Sequence, residues 1–306
     1  MNPIPSWLKL GTACLWAAAG VAQASDSVAT ITMLDGPAWV IHAASKGSAP
    51  EGAHLDAEDI IETSPTTSLL RLEFDDGTIL DIGPSSRVLV WPQWPLSPKG
   101  SGSGDASVAY VLQGWAKVAA DKPPARNRSA VSSLALDVTG LTRDVVVRVQ
   151  GANTEVFAES GDVTVVVRGK GSSAGPLKLP RGQFLARRGD TSPQVTPRPQ
   201  PDFLGAVPRP FMDTLPARAA AFKGKRVTLN QVGPISYPDV EAWLNAEARI
   251  RSRFPTRWKS MTHDTVFRHH LTAQLAQHPE WGPVLSPDKP ASRPAVATPS
   301  NASTQP

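Results

Sequence analysis

Hydrophobic and polar positions alternate most clearly between Ile60 and Val90. Leu70, Leu72 and Phe74 alternate with Arg71 and Glu73, which is the period of a half-buried strand. Leu80 and Ile82 resume the pattern beyond Asp75-Asp76-Gly77, a turn signal. Parity selects the loop length. A two-residue loop would set Leu72 opposite Asp81 and split the apolar sets between faces. A three-residue loop sets Leu72 opposite Leu80 and Leu70 opposite Ile82. A one-residue slip would flip every side chain, so the pattern predicts a type I turn closed by Gly77 in the left-handed region. Arg71, Glu73, Ile79 and Asp81 then fall on the opposite face, toward solvent.

The same reading extends along the chain. Ser27 to Ala43 predicts a hairpin about Asp35-Gly36-Pro37. Trp91-Pro92-Gln93-Trp94-Pro95 ends the central strands, because each Pro removes a ladder donor. Trp91 and Trp94 are candidates for a ligand surface stacking on a sugar or peptide, or else for covering a core edge. Val108 to Val118 alternates again, with a break at Gly114. Residues 135–149 and 154–167 are apolar on both faces, as in strands sandwiched between layers, with a turn at Ser160-Gly161. Ser192 to Pro201 is a Pro-rich, extended connector. Beyond it, Ala217 to Phe222 predicts two helical turns. A helix from Tyr237 to about Arg253 presents Val240, Trp243, Leu244 and Ala248 on one side. A second, from about Asp264 to His278, turns Phe267, Leu271 and Leu275 inward.

The fold class that follows is mainly β, with short strands, followed by a small α-helical part. The expected division is a signal peptide (1–24), an all-β domain (25–190), a linker (191–202), a helical domain (203–285) and a disordered Pro-, Ala- and Ser-rich tail (286–306). Composition agrees, with 30 Pro, 23 Gly and only 2 Tyr in 306 residues, because so much Pro favours loops and short strands over long helices.

The N-terminus changes the picture of where the protein works. Lys9, the apolar run from Leu10 to Val21 and Ala22-Gln23-Ala24 have the form of an export signal. Cleavage after Ala24 predicts a periplasmic or secreted chain that begins at Ser25. The single cysteine, Cys14, lies inside that run, so the mature chain is expected to hold no disulfide. No later run reaches the length of a membrane helix. The formal charge of +4 is uneven: residues 25–202 hold 17 basic and 20 acidic groups, and residues 203–285 hold 11 basic and 6 acidic. An anionic cell-wall polymer is therefore a candidate partner for the C-terminal part. Nucleic acid is not expected, because the signal exports the chain.

Chemistry is sparse. His263, His269, His270 and His278 lack the i, i+4 spacing of a helical zinc pair. Nucleophile elbows, phosphate loops and dinucleotide fingerprints are absent. Asp75, Asp76 and Asp81 put three carboxylates near one hairpin, which could serve a glycosidase but suit turn and solvent positions better. No cofactor, metal or catalytic residue is expected.

One resemblance adds to this. Ile60-x-x-Thr63, then Ser68-x-x-x-Leu72-x-Phe74-x-Asp76-Gly77-Thr78-x-Leu80-x-Ile82, then Ser85-Ser86, resembles the FecR domain of ferric-citrate-regulator-type periplasmic proteins. Glu159-Ser160-Gly161-Asp162-Val163 and Gly182-Gln183 are similar to its second half. The family's Gly-Asp before the Ile-x-Thr is replaced by Glu58-Asp59, and its Gly-Thr by Thr142-Arg143. The resemblance implies that Thr63, Ser68, Phe74, Asp76, Gly77 and Thr78 are structural motif residues. It also implies that the short strands form a roll, a solenoid-like stack or a sandwich, and it implies ligand- or partner-responsive signalling. Classical members carry a cytoplasmic sigma-factor-binding segment and a membrane helix, neither of which this sequence shows. The expected function is a non-enzymatic envelope sensor or scaffold that binds a partner protein or an anionic cell-wall polymer. The alternative is a glycan-acting envelope enzyme using carboxylates near Asp76 and Asp81.

Overall fold

The computed structural model describes residues 27–93, 106–120, 128–169, 175–225 and 227–286. The export signal, Trp94 and the tail beyond Ser286 lie outside the described residues. Within them the protein is mainly β, with short helices toward its C-terminal end.

The chain opens with β1 (Ala29–Asp35), β2 (Ala38–His42), β3 (Ser45–Ser48), β4 (His54–Leu55), β5 (Ile60–Thr63), β6 (Leu69–Phe74), β7 (Ile79–Ile82) and β8 (Arg87–Val90). The long β9 (Ala106–Ala119) follows. After it come β10 (Arg128–Ser132), β11 (Leu136–Thr139), β12 (Asp144–Gln150), β13 (Asn153–Ala158), β14 (Val163–Val167), β15 (Leu177–Leu179), β16 (Phe184–Arg187) and β17 (Gln194–Thr196). A last strand, β18 (Asn230–Pro234), returns to pair with β3.

All are joined in one connected sheet that curls into two faces. Face I runs β4-β1-β6-β7-β9-β12-β13-β16-β17. Face II runs β18-β3-β2-β5-β8-β9-β10-β11-β14-β15. Every pairing is antiparallel except β9 with β10. The chain changes face after every one or two strands, so short strands stack into a continuous core. Val40, Ile61, Val88 and Val111 from face II meet Ile31, Leu72, Leu80 and Val147 from face I in one buried cluster.

Strand β9 belongs to both faces. Its first part pairs with β8 and β10, and its last part with β7 and β12. The corner is Gly114, at φ +97°. A Cβ there would sit 2.4 Å from the Ser86 Cα, so only glycine allows the close approach. The hydroxyl of Ser86 accepts the Trp115 N–H at 2.9 Å across this corner. The break read at Gly114 is therefore a change of face.

The central hairpin has the register that parity predicts: Leu72 opposite Leu80 and Leu70 opposite Ile82. Gly77 lies at φ +84°, and its N–H donates to the Phe74 carbonyl at 3.0 Å. The outer side of this hairpin differs from expectation. Arg71, Glu73 and Asp81 are 5%, 6% and 3% exposed, not solvent-facing. The reason is a strap formed by residues 201–222, starting with helix α1 (Pro201–Ala206), that crosses the outside of face I.

Phe203 and Phe211 anchor the strap among Leu69, Trp115, Val146 and Phe184. The Phe203 ring lies 4.9 Å from that of Phe184 and 5.4 Å from that of Trp115. The polar groups beneath it satisfy its backbone. Arg71 grips Asp81 through two hydrogen bonds of 2.6 and 2.7 Å and donates a third to the Leu215 carbonyl. Glu73 accepts from the backbone N–H groups of Arg218 and Ala219.

The outside of face II is covered by the remaining chain: α2 (Tyr237–Leu244), α3 (Ala248–Arg251), α4 (Phe254–Arg257), α5 (Thr265–Ala273) and α6 (Gly282–Leu285). Val240, Trp243, Ile250, Phe254, Trp258 and Phe267 bury Ile41, Ile60, Leu89 and Tyr110 of the sheet. The long helix expected from Tyr237 is broken after Leu244 and re-forms as α3 and α4. The helix expected from Asp264 to His278 stops at Ala273. Residues 219–222 form a 3-10 turn rather than two helical turns.

Two expected hairpins are corners instead. Strand β1 pairs with β4 and β6, and β2 with β3 and β5, so Gly36-Pro37 carries the chain from one face to the other. The turn at Ser160-Gly161 does the same between β13 and β14. The outward side of β13 and β14 is only half-buried, at Glu155, Phe157, Thr164 and Val166, yet Phe157 and Val166 make it partly apolar in sequence, so alternation carries no sign of which strands pair.

Candidate functional site

The motif residues occupy structural positions. Thr63, at the end of β5, donates to the Gly83 carbonyl at 2.7 Å and accepts the Ser86 N–H at 2.9 Å. Ser68 bonds to the Asp35 side chain. Phe74 is buried and stacks on Trp91, with centroids 5.4 Å apart. Asp76 accepts the Thr78 N–H at 2.9 Å, and Thr78 is itself buried. Trp91 packs against the core between the two faces. Neither Trp91, Asp76 nor Asp81 lines any of the three clefts described here, and Asp81 is bound to Arg71.

The clefts gather at other residues. Two of them, each of about 730 Å³, share His42, Asp56 and Asp59. The residues arrive there for local reasons. His42 ends β2, where the chain turns through Ala43 at φ +49°. Asp59 precedes β5, and its carboxylate accepts the Asp56 N–H at 2.9 Å. That bond and the burial of Asp59 hold the acid still. Its other oxygen meets the His42 Nδ1 at 2.8 Å, while the imidazole stays half exposed.

The hydrogen bond from Asp59 holds the His42 pKa above its ordinary 6.5, against the lowering effect of burial. A histidine so held exchanges a proton near neutral pH. Among the described residues no hydroxyl hydrogen-bonds the His42 ring. The dyad is a proton-binding group at the meeting point of two clefts.

The first cleft lies where the helices meet the sheet. Arg257 of α4 donates to the backbone carbonyls of Ile41, Ala43 and Glu58. Burial lowers its pKa to about 10. Arg253 pairs with Glu58 and reaches the Gln93 carbonyl. The second cleft opens at the mouth between the two faces. Val40, Val227, Leu229 and Val232 give it apolar walls, and His42, His54, Asp56 and Lys225 give it a polar rim.

A third cleft, of about 370 Å³, runs along the outside of face II beside α2. Trp39, Lys46, Glu62, Arg87 and Gln113 line it, with Thr63 and Ser86 at its end. No group of three or more His, Cys, Asp or Glu side chains among the described residues is arranged to hold a metal ion.

Sequence reasoning missed His42, Asp59, Arg253, Arg257 and Trp39. One signal was available. Glu58 stands where the FecR pattern has Gly, and it pairs with Arg253 and gives its carbonyl to Arg257; Asp59, which keeps the pattern's Asp, meets His42.

No family model matches the chain, and no curated protein does. Among solved structures, the fold is similar to two crystal structures of a "putative anti-sigma factor" from Parabacteroides distasonis. They are 12% and 11% identical, with TM-scores of 0.32 and 0.33. Each similarity covers 45% of this chain and 57% of the other, so the match spans little more than half the length of those proteins.

Proposed function

We propose that this protein is an exported FecR-type module that binds an envelope partner without chemical turnover. The carrying observation is the use made of the carboxylates of the central hairpin. Asp81 neutralises a buried arginine, Glu73 holds the strap, and Asp76 closes a turn. Those acids serve the fold, whereas the clefts open where the C-terminal chain meets the sheet. Such joints are common places for ligands.

The partner is an envelope protein or a cell-wall polymer. The basic excess of the C-terminal part supports the polymer less than its size suggests. Arg249, Arg251 and Arg253 are paired internally with Asp137, Glu280 and Glu58.

Purified cell wall tests this, in a pull-down run beside a glycan hydrolysis assay. Retention without turnover is expected, with weaker retention as salt rises if charge contributes. Turnover that disappears in Asp76→Asn overturns the reading. Export is checked by mass spectrometry, which should find Ser25 as the N-terminus in a soluble envelope fraction. Intact Met1 in the membrane fraction would reject it.

A further inference from the structure

We propose that the third cleft is a subsite for a neutral saccharide chain. This rests on the binding-module reading and gives that module a place and a ligand class.

The outside of face II carries two side-chain rows that cross the strands. In one, Lys46, Ile41, Ile60, Leu89 and Tyr110 stand in register on β3, β2, β5, β8 and β9. Its apolar members are buried beneath α2 and α4. In the other, Ser48, Trp39, Glu62, Arg87 and Gln113 stand on the same five strands. Helix α2 reaches this second row at Glu62, through the Trp243 indole. Trp39, Glu62, Arg87 and Gln113 span three strand spacings, roughly 14 Å, and line a cleft whose volume lies in the range of small-ligand sites.

The chemistry of the row is specific. Trp39 offers an amphipathic aromatic surface; the Lys46 ammonium lies 5.6 Å from its ring centroid, and its neighbour Ser48 is too small to cover the rest. Glu62 is a hub that accepts from Lys46, Arg87 and the Trp243 indole at 3.4, 3.2 and 3.4 Å. It fixes the side chains around it. Arg87 also reaches the Gln113 side-chain oxygen at 3.2 Å.

Three donors have no partner among the described residues: the Trp39 indole N–H, the second terminal nitrogen of Arg87 and the Gln113 amide nitrogen. Water serves these donors in the free protein, so a ligand that displaces it has to offer acceptors in its place. Formal charge is balanced, because Lys46 and Arg87 face Glu62 and Asp239. An anion gains no net attraction there. An added β-strand is excluded by the backbone, since the strands beneath are paired on both sides. A neutral chain rich in hydroxyl or acetamido oxygens, laid against an indole, satisfies all of these terms.

The test is calorimetric titration of the full chain with chitotetraose and with maltotetraose. At least one is expected to bind. Trp39→Ala should weaken that binding ten-fold or more, and Gln113→Ala should weaken it several-fold without moving the melting temperature. No heat from either sugar at millimolar concentration overturns the subsite. So does an unchanged affinity in both variants, or binding confined to an anionic sugar such as polygalacturonate. The two readings fail separately. If Trp39→Ala is retained on purified cell wall as well as the wild type while both tetraoses fail, the subsite falls and the module stands. If the wild type is not retained and neither sugar binds, both fall.

Discussion

Arg71 and Asp81 face each other across the outer side of the central hairpin, and the strap seals them from water. A buried pair is costly to half-remove, because the remaining charge keeps its desolvation penalty. Asp81→Asn should therefore lower stability by about 3–5 kcal/mol, read from urea unfolding at neutral pH. A loss under about 1 kcal/mol, the usual range for an exposed pair, would mean that the strap does not seal the site.

The His42–Asp59 dyad gives a prediction of opposite character. The folded state binds the imidazole proton more tightly than the unfolded chain does. Its contribution to stability is thus fully present below pH 6.5 and is lost as pH rises through the folded pKa. An NMR titration of His42 should show a midpoint above 6.5, and Asp59→Asn should return it toward 6.5 or lower. A midpoint that ignores Asp59→Asn would show that the hydrogen bond is not its cause.

At the scale of elements, the β6–β7 hairpin separates two kinds of cost. A side chain at Gly77 would meet no atom within 4 Å, so a substitution there is penalised through the backbone alone. Gly77→Val should cost about 1–3 kcal/mol. Gly77→Asn should cost less, because Asn tolerates positive φ. Leu72→Ala empties a fully buried position and should cost about 2–5 kcal/mol. Equal costs for Val and Asn at position 77 would contradict the backbone explanation.

The helical cover is held by a second set of groups. Arg168 of the sheet forms a two-pronged pair with Glu247 at 2.7 and 2.5 Å. Arg249 meets the buried Asp137 at 3.3 Å. In Glu247→Ala, hydrogen exchange should accelerate through residues 237–285 while the strands around Leu72 stay protected. Uniform acceleration of both would mean that the cover and the sheet open as one unit.

For the whole molecule, the chain after Pro201 supplies apolar cover to both outer faces. Phe203 and Phe211 lie on face I, and Trp243, Phe254 and Trp258 lie over face II. A chain ending at Pro201 would expose Trp115, Val146 and Phe184 on one side and Ile41, Ile60, Leu89 and Tyr110 on the other. Contiguous apolar patches of that kind drive association. Such a chain should bind a hydrophobic dye and elute as aggregates, whereas the full chain should not. A soluble, monomeric chain ending at Pro201 would contradict this account.

The hairpin at Asp75-Asp76-Gly77 was legible in the sequence because its information is local. Side-chain parity across one short loop allows a single register, and the loop needs one residue at positive φ. The β class was legible for a similar reason, through Pro content and short alternating runs. The pairing of β1, β2, β13 and β14 was not, because a turn that carries the chain to the other face leaves the same local pattern as the turn of a hairpin. Arg71, Glu73 and Asp81 read as solvent-facing because their partners lie more than 130 residues away, at Leu215, Arg218 and Ala219, or depend on that cover. The clefts are further still from local pattern. His42 and Asp59 meet through the pairing of β2 with β5, Arg257 joins them because α4 docks on the turn after β2, and Trp39 and Gln113 align only through the register of four strands. The sequence determines what each short segment can form. Which segments cover one another, and so which polar groups are buried and which stand open to a ligand, is decided by long-range packing.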